Sequence, residues 1–134
     1  MPFSPRVLLL LLASALGGCT TAGASLGGAA TPALPAGAAA LRSSLAADKN
    51  VKLSTRAEQS ALGAEYQALQ FGAVGQTVPW ESDGFRGQVV PTQLYRVGSQ
   101  ECRGFIHTIT GSGETTRRVA TACRSGDDLW TPVA

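Results

Sequence analysis

Two cysteines, Cys102 and Cys123, sit symmetrically about a glycine-rich link, and this constrains how the second half of the chain can fold. The runs 102–110 and 115–123 are rich in Thr, Ile, Val and Phe, the composition of strands. Between them lie Gly111, Ser112, Gly113 and Glu114, a four-residue loop with two glycines that suits a hairpin. If Thr110 faces Thr115, the register carried back along both runs sets Cys102 directly opposite Cys123. Opposed residues at a non-hydrogen-bonded position have Cα atoms about 4.5 Å apart, within disulfide reach. The same register sets Ile106 against Val119 on the cysteine face. It sets Phe105 against Ala120, and His107 against Arg118, on the other. The bond closes a loop of roughly twenty residues, worth about 3 kcal/mol in the chain-entropy model. That is a large share of the stability of a small domain.

The third cysteine belongs to the other end of the chain. Residues 7–16 are almost wholly apolar and include five consecutive leucines. As a helix they span roughly 15 Å, half of a bilayer core of about 30 Å, so the run reads as the apolar region of an export signal. Ala13-Ser14-Ala15 has the form of an ordinary signal peptidase site, but using it leaves a short apolar run. Leu16-Gly17-Gly18-Cys19 resembles the lipobox of bacterial lipoproteins. On that reading the chain is cut before Cys19, the thiol is acylated, and lipid on Cys19 holds the protein to a membrane. Several acyl chains on one residue anchor stably, whereas a single chain is marginal. In a diderm bacterium Thr20 after the cysteine carries no acidic retention signal, and the resemblance to lipoprotein sorting then implies the outer membrane as the address. Three cysteines are an odd count for an exported chain. Acylation of Cys19 leaves Cys102 and Cys123 to pair in an oxidising compartment.

The expected organisation is a signal peptide over 1–18, a lipidated low-complexity tether over 19–52 and a folded domain over 53–134. Residues 20–47 are mostly Ala, Gly, Thr, Ser and Pro, with few large apolar side chains to bury. Only 41–47 could make a helical turn. From Leu53 the pattern changes. Thr55 with Glu58 reads as a capping box, with Ser54 an alternative cap. Ala57, Ala61, Leu62, Tyr66 and Leu69 then recur at helical spacing until Gly72 and Gly75 end the segment. Strand-like runs follow at 77–81, 85–90 and 93–97, then the cysteine hairpin, then 129–133. The expected fold class is α+β: one amphipathic helix, then a small curled antiparallel sheet stapled by the disulfide.

Chemistry-bearing residues are few. Eleven Lys and Arg face nine Asp and Glu, no electrostatic footprint for nucleic acid. His107 is the only histidine. With Arg118 beside it and the thiols paired, it reads as a solvated strand residue, and no catalytic set is expected. No metal or other cofactor is expected, because one histidine and paired cysteines leave no ligand cluster. Glu81 with Asp83, and Asp127 with Asp128, read as solvated turn acids. Arg117-Arg118 reads as a charged strand edge. Trp80 and Trp130 read as core filling. Exposed beside Arg103 they would instead form a candidate binding surface.

From about Leu53 to Trp130 the chain resembles the surface antigen domain of the 17 kDa surface antigen family of bacterial outer-membrane lipoproteins. The matching features are Ala61-Leu62 through Tyr66 and Leu69, then Gly75-Gln76-Thr77-Val78-Pro79-Trp80. Residues 87–92, Glu101-Cys102-Arg103-Gly104-Phe105, residues 108–110, Thr121-Ala122-Cys123-Arg124 and Trp130 complete them. The two Cys-Arg pairs are the most specific. The glycine-zipper segment common after the lipid cysteine in that family is replaced here by a short alanine-rich stretch broken by Pro32 and Pro35. The resemblance implies an envelope lipoprotein with no defined reaction. Its role would be structural or scaffolding, through an envelope protein or peptidoglycan partner. The alternative is a periplasmic inhibitor or binding module that captures an enzyme, a peptide or a cell-wall fragment.

Overall fold

A computed structural model describes residues 33–133. The signal segment, the lipobox with Cys19, and residues 20–32 of the expected tether lie outside the described residues.

Five strands follow one long helix: α1 (Ala36–Ala39), α2 (Arg42–Ala46), α3 (Thr55–Phe71), β1 (Val78–Ser82), β2 (Phe85–Val97), β3 (Gln100–Gly111), β4 (Glu114–Ser125) and β5 (Leu129–Val133). The sheet is antiparallel and open, in the order β1-β2-β3-β4-β5, so each strand pairs with its sequence neighbour. This is the α+β class, with more sheet than helix. The cap of α3 is Ser54, the alternative to Thr55. Its Oγ accepts from the Ala57 N–H (3.1 Å) and donates to Asp83 Oδ2 (2.6 Å) in the β1–β2 turn. The cap therefore ties the helix start to the sheet as well as meeting a free helix donor.

The cysteine hairpin has the register expected. Thr110 faces Thr115, Ile106 faces Val119, His107 faces Arg118, and Cys102 faces Cys123, with which it forms a disulfide. The link is tighter than four residues. Pairing continues to Gly111 and Glu114, leaving Ser112 and Gly113 as a two-residue turn. Both have positive φ, 53° and 81°, the backbone of the turn that matches strand twist. The runs expected at 85–90 and 93–97 form one strand, β2, whose register slips between Pro91 and Leu94. A bulge lets the strand pass a proline that cannot donate to the ladder.

The core lies between α3 and one face of the sheet. Ala57, Ala61, Leu62, Ala68 and Leu69 meet Val89, Phe105, Ala122 and Trp130 there, all essentially without exposed surface. Period-two alternation sends Cys102, Ile106 and Val119 to the opposite, outer face.

Residues 33–52 depart from the tether expected of them. Leu41 is fully buried in the core cluster, Ala38 is fully buried, and Leu34, Leu45 and Val51 pack against the cluster. Low bulk works here as a packing device. At Gly37 an added Cβ would collide with the Asp128 carbonyl and the Tyr66 ring, so only glycine allows α1 this approach to α3 and the β4–β5 turn. One large side chain, Leu41, then supplies the anchoring. Leu41→Ala should lower the unfolding free energy in urea by about 2–5 kcal/mol, the usual loss for a buried leucine. A change near zero would restore the tether reading.

Candidate functional site

The helix face that packs on the sheet includes a carboxylate. Glu65 follows Ala61 and Leu62 by one turn and precedes Ala68 and Leu69 by another, and it has no exposed surface. Opposite it on β3 is His107, 1% exposed, on the same face as Phe105 and Ile109. His107 Nδ1 and Glu65 Oε1 are 2.7 Å apart. Arg118, the cross-strand partner of His107, donates from Nη2 to the same oxygen at 2.9 Å. Ser44 on α2 donates from Oγ to Glu65 Oε2 at 2.6 Å. Trp80 on β1 donates its indole N–H to His107 Nε2 at 2.9 Å. Histidine read as solvated is thus the centre of a buried network, and Arg118 turns inward from the strand edge to join it.

The bonds fix the protonation. An indole nitrogen can only donate, so His107 Nε2 must accept. The imidazole is therefore neutral with its proton on Nδ1, and that proton goes to Glu65. Glu65 receives three donors, from His107, Arg118 and Ser44, a set that suits the ionised carboxylate. A carboxylate and the histidine it orients are also two of the three members of a catalytic triad. Here the other ring nitrogen, which would take a substrate proton, is occupied by Trp80. His107 cannot act as a base without first losing that bond.

Trp80 reaches His107 because of its cross-strand neighbour. Trp80 pairs with Gly87, and a Cβ at Gly87 would come within 2.5 Å of the indole nitrogen. The indole lies across the bare backbone of β2, an aromatic filling the gap left by a glycine in a strand.

The residues named as a candidate binding surface do not form one. Trp80 is 8%, Arg103 7% and Trp130 1% exposed, and alternation turns all three toward α3. Trp130 donates its indole N–H to Gln70 Oε1 at 2.7 Å. Arg103 closes the C-terminal end of α3. Its guanidinium donates to the carbonyls of Ala68 (3.2 Å), Leu69 (3.1 Å) and Gly72 (2.6 Å), and through Nε to Thr92 (2.9 Å). Leu69 and Gly72 are among the carbonyls a helix end leaves without intrahelical partners, Ala68 also accepts from the Gly72 N–H, and the negative end of the helix dipole favours a cation there. Burial holds the Arg103 pKa below its usual value.

Other candidates fall to structural roles. Asp83 accepts from Ser54 and lies 3.6 Å from Arg56, so this turn acid ties the β1–β2 turn to the start of α3. Among the described residues no three His, Cys, Asp or Glu side chains gather as metal ligands. A concavity of about 620 Å³ is an open groove over β1, β2 and β3 lined by Pro79, Glu81, Arg86, Gln88, Thr108 and Thr110, with Trp80 at its wall. It is an open surface of mixed polar and apolar lining, and Trp80 is the residue it shares with the buried network. A second hollow of about 10 Å³ lies beside His107 and Arg118, where Arg118 Nε and Nη1 are buried without protein partners. That is room for about one water molecule. Comparison with protein-family models, curated proteins and solved structures finds no match to this chain.

Trp80→Phe should cost about 1–3 kcal/mol, because it leaves His107 Nε2 buried without a donor. Gly87→Ala should displace the same indole without deleting it. Both should remove one downfield indole N–H resonance that is slow to exchange in the parent protein. Retention of that resonance in Gly87→Ala would show that Trp80 is held by something else.

Proposed function

We propose that this chain is a non-enzymatic lipoprotein of the outer membrane, anchored through Cys19 and related to the surface antigen lipoproteins, with a structural or scaffolding role in the cell envelope. The observation that carries the reading is how its reactive groups are used. Both nitrogens of the only histidine are bonded inside the core. Both domain cysteines are consumed in a disulfide. The buried cation Arg103 is spent on backbone carbonyls. Each group that could begin a reaction instead joins two parts of the fold. The disulfide suits an oxidising envelope compartment.

The Cys-Arg pairs that carry the family resemblance also have a physical sense. In each, alternation sends the cysteine to the outer face and the arginine inward. Arg103 closes the helix, and Arg124 bonds Glu101 and lies over the Trp130 ring at 5.6 Å. A motif whose members staple and cap fits a protein valued for being rigid.

Lipid labelling and envelope fractionation test the anchor. Labelled protein should enter the outer-membrane fraction, and Cys19→Ala should abolish the label and release the chain. Label that persists in Cys19→Ala would overturn the anchor. Dosage tests the role. Deletion should weaken the envelope to detergent, and resistance should return in proportion to the amount of protein restored. Full resistance at a few per cent of the normal amount would indicate turnover and overturn the scaffold.

A further inference from the structure

The sheet is staggered, and the stagger leaves one strand edge uncovered. β1 pairs with β2 only as far as Val89, after which the Gly75 N–H still reaches the Pro91 carbonyl (2.9 Å). Beyond that point, among the described residues, 93–97 have β3 on one side and no strand on the other. Leu94, Tyr95 and Val97 there are 51%, 47% and 60% exposed.

Every other edge of the sheet carries a device against pairing. β1 has Pro79 and β5 has Pro132, and proline removes a donor from an edge. The start of β4, which β5 does not cover, carries Glu114 and Arg117. Residues 93–97 have no proline. Their one charge, Arg96, is already paired with Glu101 at 3.5 Å. An exposed apolar edge without such a device is a template for another strand.

We propose that residues 93–97 pair edge to edge and antiparallel with the same residues of a second copy of this chain, about a twofold axis at Tyr95. The pattern of this edge is self-complementary. A twofold there sets Gln93 opposite Val97, Leu94 opposite Arg96 and Tyr95 opposite Tyr95. Period two keeps both members of each pair on one face. The outer face gains an aromatic pair flanked by the two valines. On the inner face Leu94 covers the stem of Arg96, and each Arg96 keeps its own Glu101, so no bare like charges meet. The partner strand runs antiparallel, so its Gly98-Ser99 tip arrives beside Pro91. The Gly75 bond holds the segment of Phe71 and Val74 there, and these side chains are 65% and 60% exposed. The short strand puts the interface at the weak end of the range, so pairing should depend on concentration.

Sedimentation of the full chain in detergent micelles should show a monomer–dimer equilibrium. Val97→Lys and Leu94→Lys, both at exposed positions, should weaken it by about tenfold or more. Each should keep the parent thermal transition and the Cys102–Cys123 bond. Register is read by oxidation: chains carrying Gln93→Cys mixed with chains carrying Val97→Cys should give far more covalent dimer than either alone. A chain that stays monomeric overturns the proposal. So does a dimer indifferent to both lysines, or equal crosslinking in the mixture and the single variants. Amide protection at 93–97 in a sample that sediments as a monomer would mark a different occupant and also overturns it.

Discussion

Glu65 is a carboxylate with no exposed surface in the middle of the helix face that packs on the sheet. Leaving such a charge without partners costs several kcal/mol even after relaxation. Its partners come from every side: Ser44 from α2, His107 from β3, Arg118 from β4, with Trp80 from β1 one bond further out. An apolar side chain at this position would tolerate small shifts of the helix along the sheet. A carboxylate with three donors does not, because a displacement of about an ångström breaks hydrogen bonds that water cannot replace. The helix is thereby held in one place, and so is the proton on His107.

A second constraint acts at the far end of the same helix. Arg103 gathers three carbonyls of α3 and its cap, together with one from the β2 bulge. A charge pair in the middle and a cation at the end therefore fix α3 at two points along the sheet. The disulfide, on the opposite face, fixes the register of the strands that carry both His107 and Arg103. A slip of one residue there would send both side chains away from the helix. Staple and network therefore depend on one another across the thickness of the sheet.

The hairpin register was legible because it follows from two cysteines, a turn and period two, all local. The opposition of His107 and Arg118 came with it. What the sequence could not supply was the third side of that contact. Glu65 stood in plain view between Leu62 and Leu69, in phase with the apolar stripe, and a charged residue in that phase was the available signal. Its partner, 42 positions away, depends on how the helix lies on the sheet, which no local rule fixes. Residues 33–52 misled for a different reason. Composition treats alanine and glycine as material for a tether, yet small side chains also permit close packing, and a single leucine can anchor a segment that otherwise buries little. Trp80 was expected in the core, but its bond to His107 rests on the absence of a side chain at Gly87.

These investments leave an uneven division of labour between the two faces of the sheet. The inner face holds His107, Arg103 and both indoles, with Glu65 of α3 packed against it, each satisfied by the fold itself. The outer face and the 93–97 edge hold Val119, Tyr95 and Val97, all of them exposed. A group already bonded inside the core cannot also recognise a partner without unmaking the fold. Among the described residues, recognition that leaves the fold intact must then use the outer face, the open groove at β1 to β3, or the uncovered edge. The edge differs from the other two because it offers unpaired backbone as well as apolar surface. Backbone hydrogen bonds need only an extended partner in register, and the register is set by the pattern of residues 93–97 themselves.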